Sequence, residues 1–272
     1  MLQQTQVSRV QEHFYPLFLK KYPTLKALAG AKIDDVLASW SGLGYYSRAR
    51  NLHKSAILCK EDGLPKSMKE LQTLFGVGRY TASAICSFGY HQKVPVVDTN
   101  ISRVLKRYFA LLDEKLIWQM AEKFLNPNEP TKHNLALMDL GSLICTPTNP
   151  QCKECPLSFT CKGKNEPELY TKKKKTQYEN LELFLGVCIQ NNKIALSKSQ
   201  TKLYKGLLVL PETEPLEENF IASFKHSYTK YRITVNLYKT KTYDENSIWL
   251  EAEEMDEAPI SSMTKKALKL LG

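Results

Sequence analysis

The chain has 272 residues, 43% hydrophobic and 10% aromatic, with 38 Lys and Arg against 28 Asp and Glu for a net charge of +10. That length is a prior of about two domains, and the composition excludes a disordered or collagen-like chain. No apolar run nears the ~18 residues of a membrane helix, and no basic stretch followed by an apolar one opens the chain, so it reads as soluble and cytosolic.

Charge is uneven. Residues 1–161 hold 20 Lys and Arg against 13 Asp and Glu, residues 162–180 hold 6 against 3, and residues 181–272 hold 12 against 12. A basic front half, a basic connector and a neutral back half point to a polyanion-binding domain tied to an accessory one, although a basic surface also serves solubility.

In chain order, Val7, Val10, Phe14, Leu17 and Phe18 recur at helical spacing, with Pro16 marking a kink or an early end. Ile33, Val36, Leu37 and Trp40 repeat the spacing, as do Leu52, Ala56 and Ile57 after Ser47, a candidate N-cap. Met68, Leu71 and Leu74 predict a short helix closed by Gly76, and a second restarts near Arg79 and runs towards Phe88. Another follows Asp98, with Ile101, Val104 and Leu105 on one face. Trp118, Ala121 and Leu125 mark one more, and Leu137 to Ile144 the last of an all-α domain. Residues 162–180, with Gly163, Pro167 and four consecutive lysines from Lys172, read as a solvated linker. The pattern then changes to strands: Leu181 to Ile189, a turn at Asn191-Asn192, and Ile194 to Leu196. Ile233, Val235 and Leu237 alternate with polar neighbours as a half-buried strand, and a final helix spans Ser262 to Leu271.

Four of the seven cysteines fall within 17 residues, as Cys145-x6-Cys152-x2-Cys155-x5-Cys161. In a cytosolic chain such density points to a metal centre rather than disulfides. Zinc competes, because four-cysteine zinc sites are common. Only one pair has the C-x2-C spacing of a zinc knuckle, however, and the unequal gaps suit a [4Fe–4S] cluster better. Cys59, Cys86 and Cys188 sit in apolar contexts and read as small core residues.

Leu74-Phe-Gly76-Val-Gly78-Arg-Tyr80 joins two short helices. Its glycines permit a tight turn that exposes backbone N–H groups to a phosphate, although a helix C-cap explains them equally. Some 20 residues on, in Val96-Val-Asp98-Thr-Asn100-Ile-Ser-Arg103, Asp98 stands between an extended apolar stretch and a helix. It reads as an N-cap, as a carboxylate facing a flipped nucleotide, or as both.

A hairpin between helices, then Val-Asp, then four cysteines at 6-2-5 spacing resembles the endonuclease III superfamily of DNA glycosylases. Met1-Leu-Gln-Gln-Thr-Gln-Val7 and Trp40-Ser-Gly-Leu-Gly-Tyr45-Tyr46-Ser-Arg-Ala-Arg50-Asn-Leu52 are similar to motifs of its adenine-glycosylase branch, the MutY family. The resemblance covers residues 1–161 strongly and 181–272 weakly. It implies a mainly α fold: a helix–hairpin–helix glycosylase domain over 1–161 with a cluster loop at 145–161, a basic linker at 162–180, and a small α+β Nudix-like lesion-recognition domain at 181–272. The implied function is removal of adenine opposite 8-oxoguanine or guanine in double-stranded DNA, by a bacterial-type, nucleoid-associated monomer of the cytoplasm.

The resemblance also assigns roles. Asp98 stabilises the oxocarbenium-like sugar, with Asn100 and Tyr80 beside it. A lysine stands at the Tyr80 position in the endonuclease III type and attacks as an amine; a tyrosine forms no imine, so the strand is left intact. Gln4 fills the hole left by adenine, Tyr45 inserts beside the opposing base, and Arg48, Gly76 and Gly78 contact DNA, although core packing also explains Tyr45 and Tyr46. Cys145, Cys152, Cys155 and Cys161 hold the cluster.

Several positions depart from the pattern. The family's general acid is a glutamate just ahead of the motif that starts at Met1, which implies a coding start upstream. Phe75 replaces a common proline, and Leu135 a polar residue near adenine. Tyr228-Thr229-Lys230 replaces Phe-Ser-His in the loop that meets 8-oxoguanine; Thr229 keeps a hydroxyl for the lesion, and Lys230 is a candidate phosphate ligand. No glutamate-rich metal-binding helix supports Nudix hydrolysis. The rival readings are another glycosylase of the superfamily and a catalytically impaired mismatch-binding protein.

Overall fold

A computed structural model describes residues 1–2, 5, 7–171 and 177–271, without the side chain of Arg9. Gln4 and the lysine run at 172–175 lie outside the described residues. The chain forms two compact units, one from Met1–Gly63 with Thr176–Gly272 and the other from Leu64–Lys175.

The first unit opens with helices α1 (Val7–Arg9), α2 (Tyr15–Lys21), α3 (Leu25–Gly30), α4 (Ile33–Ser39) and α5 (Ser47–Cys59). The irregularity expected at Pro16 appears as a π-helical turn, Val10–Phe14, before α2, and the proline sits in the first turn of α2, where its missing N–H is not needed. Ser47 is not an N-cap: it is the first helical residue, and Tyr46 precedes it without a side-chain cap. The chain enters α5 instead through Tyr45, held in the left-handed region at φ 45°.

The second unit holds α6 (Met68–Leu71), α7 (Arg79–Ala84), α8 (Thr99–Phe109), α9 (Leu116–Phe124) and α10 (Pro130–Asp139), with π-helical continuations Ile85–Gly89 and Leu140–Ile144. Ser67 is the N-cap of α6, its Oγ accepting from Glu70 N at 3.3 Å and donating to Glu70 Oε2 at 2.6 Å. Leu125, expected on the face of α9, is its C-cap residue. The core joins Val96, Ile101, Val104 and Leu105 to Ile117, Ala121 and Leu137, all buried. Buried Asn134 of α10 donates to Val94 O at 3.0 Å and Ser87 Oγ at 2.9 Å, and accepts from Val96 N at 3.1 Å. These bonds hold the extended stretch that leads to Asp98. The segment from Lys162 to Thr171 is tied to α8 rather than solvated: Gly163 N donates to Arg107 O at 2.8 Å, and Pro167–Tyr170 forms a 3-10 turn.

The chain then returns to the first unit with β1 (Glu179–Val187), β2 (Ile189–Gln190), β3 (Lys193–Lys198), β4 (Leu208–Val209), β5 (Phe220–Tyr228), β6 (Tyr231–Lys239), β7 (Ile248–Leu250) and α11 (Ser262–Leu268). One sheet has the order β1-β6-β5, with β1 parallel to β6 and β5 antiparallel to it. In the other, β3 pairs with β2, β4 and β7. Asn191 and Asn192 both take positive φ in the β2–β3 turn, as a two-residue hairpin of this twist requires. The alternation read in β6 holds: Ile233, Val235 and Leu237 are buried.

Val36, Leu37, Trp40 and Ala49 from the first helices share one core with Leu196, Leu207, Val235, Leu237 and Ile260 from the C-terminal elements. Trp40 is 1% exposed, and truncating such a ring costs about 3–5 kcal/mol. Cys59, Cys86 and Cys188 are buried, as expected of core thiols. Among the described residues, no helix is long and apolar enough to cross a membrane.

Candidate functional site

In the second unit, Asp98 arrives in extended backbone at the start of α8, and its Oδ1 accepts from Ile101 N at 2.6 Å. The cap pins the carboxylate, and the helix N-terminus favours its charge. Tyr80, on α7, is partly buried. Burial, and then the Asp98 carboxylate, push its phenol above the ordinary value, so it stays protonated at neutral pH. Asn100, in the first turn of α8, accepts on Oδ1 from Arg103 Nη2 at 2.9 Å. A Cβ on Gly141 would come within 2.7 Å of Asn100 Cβ, so only glycine lets the Leu140–Ile144 turn approach this close.

The α6–α7 turn passes through Gly76 in the left-handed region, at φ 73°, and reaches Gly78 in the cap position of α7. No side chain caps that end. Arg79 lies with its guanidinium 4.0 Å from the centre of the Trp118 ring. Phe75, the departure from proline, is exposed, as is Leu135 on α10.

Two arginines of α8 organise the neighbouring cysteines, and sequence reasoning gave neither a role. Arg103 donates from Nε to Cys145 O at 2.7 Å and from Nη2 to Gly141 O at 2.6 Å. Arg107, 2% exposed, donates to Pro167 O, Thr146 O, Pro147 O and Thr171 Oγ1, and sets Nη1 3.3 Å from Cys145 Sγ. Their signal in the sequence is two arginines four apart, beside an apolar helical face.

Cys145, Cys152, Cys155 and Cys161 line one cavity together with Arg107, Tyr108 and the apolar side chains of Leu140, Ile144 and Leu157. Burial pushes the Cys161 thiol up; a bond from Gly163 opposes this, and Cys145, Cys155 and Cys152 add to the rise, so Cys161 feels the other three. The sulfurs do not form a closed metal-binding group among the described residues. The donor set nevertheless fits a thiolate-bound centre: four thiols on one largely apolar cavity, with an arginine donating to one of them.

In the first unit, Tyr45 is 37% exposed, whereas Tyr46 is buried as a core residue. Arg48 stands 5.5 Å from the centres of both the Trp40 and Tyr45 rings. Its guanidinium donates to Met1 O at 2.7 Å, Thr5 Oγ1 at 3.0 Å and Leu43 O at 3.2 Å, so it shapes the Tyr45 loop from within. Thr229, at φ 52°, forms the β5–β6 turn with Lys230, whose ammonium pairs with Glu179. Gln4 lies outside the described residues.

The HhH-GPD superfamily of base excision DNA repair proteins matches residues 1–130. Adenine DNA glycosylase of Buchnera aphidicola subsp. Baizongia pistaciae (strain Bp) is 35% identical over 264 residues, covering 87% of this chain and 75% of that protein. Human adenine DNA glycosylase is 40% identical over 179 residues, covering 62% of this chain and 33% of that longer protein. Among solved structures, a thermostable thymine-DNA glycosylase aligns with TM-score 0.57 and 28% identity, over 61% of this chain and 80% of that one. A trapped endonuclease III–DNA covalent intermediate aligns with TM-score 0.55 and 26% identity, over 61% and 80%.

Proposed function

The chain belongs to the HhH-GPD superfamily of base excision DNA repair proteins, in its adenine DNA glycosylase branch, and from that premise we propose that it removes adenine paired with 8-oxoguanine or guanine by hydrolysis of the N-glycosidic bond. The observation that carries the reading is Asp98, fixed by its own helix cap beside a protonated Tyr80. Loss of adenine builds positive charge on the sugar, and a carboxylate held in place before the reaction stabilises that charge without reorganising. Ile101 N engages Oδ1, which leaves Oδ2 for the sugar. Tyr80 supplies no amine, so base loss ends at an abasic site in an intact strand.

Residues 1–161 serve as the glycosylase domain, 162–180 as the linker and 181–272 as a Nudix-like domain that reads the opposing base. Thr229 presents a hydroxyl at the β5–β6 turn for that purpose, and Tyr45 is the exposed aromatic that enters the base stack. The backbone N–H groups after Gly76 and Gly78 bind a phosphate. Cys145, Cys152, Cys155 and Cys161 would hold a [4Fe–4S] cluster, which would tie the 145–161 loop together. Arg107 donates to one of those sulfurs, and Arg103 joins the loop to Asn100. The protein acts as a monomer on double-stranded DNA.

A panel of duplexes tests the reading. Adenine should be released opposite 8-oxoguanine and guanine, and thymine mismatches and oxidised pyrimidines left intact. Preferred release of thymine or of a damaged pyrimidine would move the protein to another branch of the superfamily.

A further inference from the structure

Three residues outside glycine take left-handed backbone within one network of the first unit: Tyr45 at φ 45°, Tyr204 at φ 60° and Thr229 at φ 52°. A bulky side chain in that region costs free energy, and such conformations persist where the surroundings over-determine them, commonly at functional sites. Tyr45 and Thr229 already have proposed roles. Tyr204 has none, although it is the most buried of the three, at 1% exposure.

Tyr204 touches the hairpin strand that ends at Thr229 in two ways. Its ring packs against Tyr228, with centroids 4.4 Å apart and planes at 44°. Its hydroxyl bonds His226 Nε2 at 2.6 Å. Burial and then Lys266 lower the His226 pKa, so the imidazole is neutral at pH 7. Burial drives the Tyr204 phenol well above its ordinary value, so the phenol donates and the imidazole accepts. The next residue is also held: Arg50 of α5 donates from Nη1 to Lys205 O at 2.7 Å. Helix α5 begins two residues after Tyr45. Tyr228 in turn feels Tyr46, Arg50 and Tyr45. The Tyr204-Lys205 segment is therefore fixed to the proposed wedge loop on one side and to the proposed base-reading hairpin on the other.

We propose that Tyr204 is a positioning residue for opposite-base discrimination: through His226 and Tyr228 it holds the β5–β6 hairpin so that the Thr229 hydroxyl meets 8-oxoguanine. The inference rests on the proposed function of Thr229. It adds that discrimination depends on a buried phenol that does not touch DNA. The Tyr204 hydroxyl, buried in the first unit, acts on selectivity through the hairpin.

The test is Tyr204→Phe, which keeps the ring and removes the hydroxyl, with His226→Leu, which offers no acceptor, cutting the same bond from the other side. Hydrogen exchange of residues 226–231 in the free protein reads hairpin order without any activity. Single-turnover adenine release opposite 8-oxoguanine and opposite guanine reads discrimination. In both variants, exchange at the hairpin should rise, and the preference for 8-oxoguanine should fall about three- to tenfold, the range for one lost hydrogen bond. Release opposite guanine should stay within about twofold of the parent. Combined with Thr229→Ala, Tyr204→Phe should add almost nothing, because both act through one contact. Unchanged exchange, or a loss of preference that adds fully to that of Thr229→Ala, would overturn the inference. A parent protein with no preference for 8-oxoguanine would instead overturn the proposed role of Thr229, while the exchange measurement still decides whether Tyr204 orders the hairpin.

Discussion

Arg107 sets its guanidinium 3.3 Å from the sulfur of Cys145, from the same helix whose first turn is capped by Asp98. The proposed catalytic carboxylate and the cysteine loop are thus mounted at two ends of α8, with Arg103 bonding both Asn100 and Cys145 O between them. Disturbance of the loop has a direct mechanical route to the carboxylate.

Arg107→Ala should therefore destabilise the second unit strongly. The buried guanidinium serves three carbonyls, a hydroxyl and a sulfur, and each buried acceptor left unpaired costs about 1–3 kcal/mol. A loss of about 3 kcal/mol or more, measured by urea denaturation, is expected, together with reduced metal content. Arg107→Lys should recover little, since a point charge does not span five acceptors. A variant as stable as the parent would show that the network contributes nothing.

The cysteine loop makes a prediction about metal. Protein purified without oxygen should contain about four iron and four sulfide per chain, and Cys152→Ser should lower both along with soluble yield. One zinc and no iron would return the loop to the zinc reading that its single C-x2-C pair also allows.

How much of this was legible in sequence depends on the range of each interaction. Asp98 as a cap, the Asn191-Asn192 turn and the alternation of β6 are local patterns, and all three hold. Strand β5 does alternate, with Ala222, Phe224, His226 and Tyr228 more buried than Ser223, Lys225 and Ser227, but only Phe224 is fully buried and His226 is polar, so no apolar periodicity marked it. The π-helical turns shift a hydrogen bond by one residue without changing composition. Arg107 was invisible for another reason: its partners lie 38 to 64 positions away in the chain. The same holds for the shared core of the first helices and the C-terminal sheet, which no local pattern announces.

Acid should weaken the first unit. Burial and Lys266 hold His226 below its ordinary value of 6.5, so below about pH 6.5 the unfolded chain binds a proton that the folded chain refuses. The stabilisation is complete above that pH and is lost as pH falls towards the depressed folded value. His133 in the second unit is lowered by burial and carries the same sign. Denaturation midpoints between pH 7.5 and 5.5 should fall less steeply for His226→Gln than for the parent. An equal slope would remove His226 from the account.

Product analysis should find the strand intact. In the proposed reading Tyr80 stands where a Schiff-base amine would be needed, and its phenol is held protonated. Cleavage should appear only after alkali, and borohydride should trap no covalent complex. A trapped complex would point to an amine elsewhere in the chain.

The central claim is that Asp98 carries the charge stabilisation for adenine loss. Asparagine caps helices about as well as aspartate, so Asp98→Asn should leave α8 and DNA binding in place while removing the negative charge. Single-turnover release of adenine from a duplex with adenine opposite 8-oxoguanine should fall at least ~10²-fold in that variant, with affinity for the duplex little changed. A release rate within a few-fold of the parent would contradict the account and place the stabilising charge on another residue.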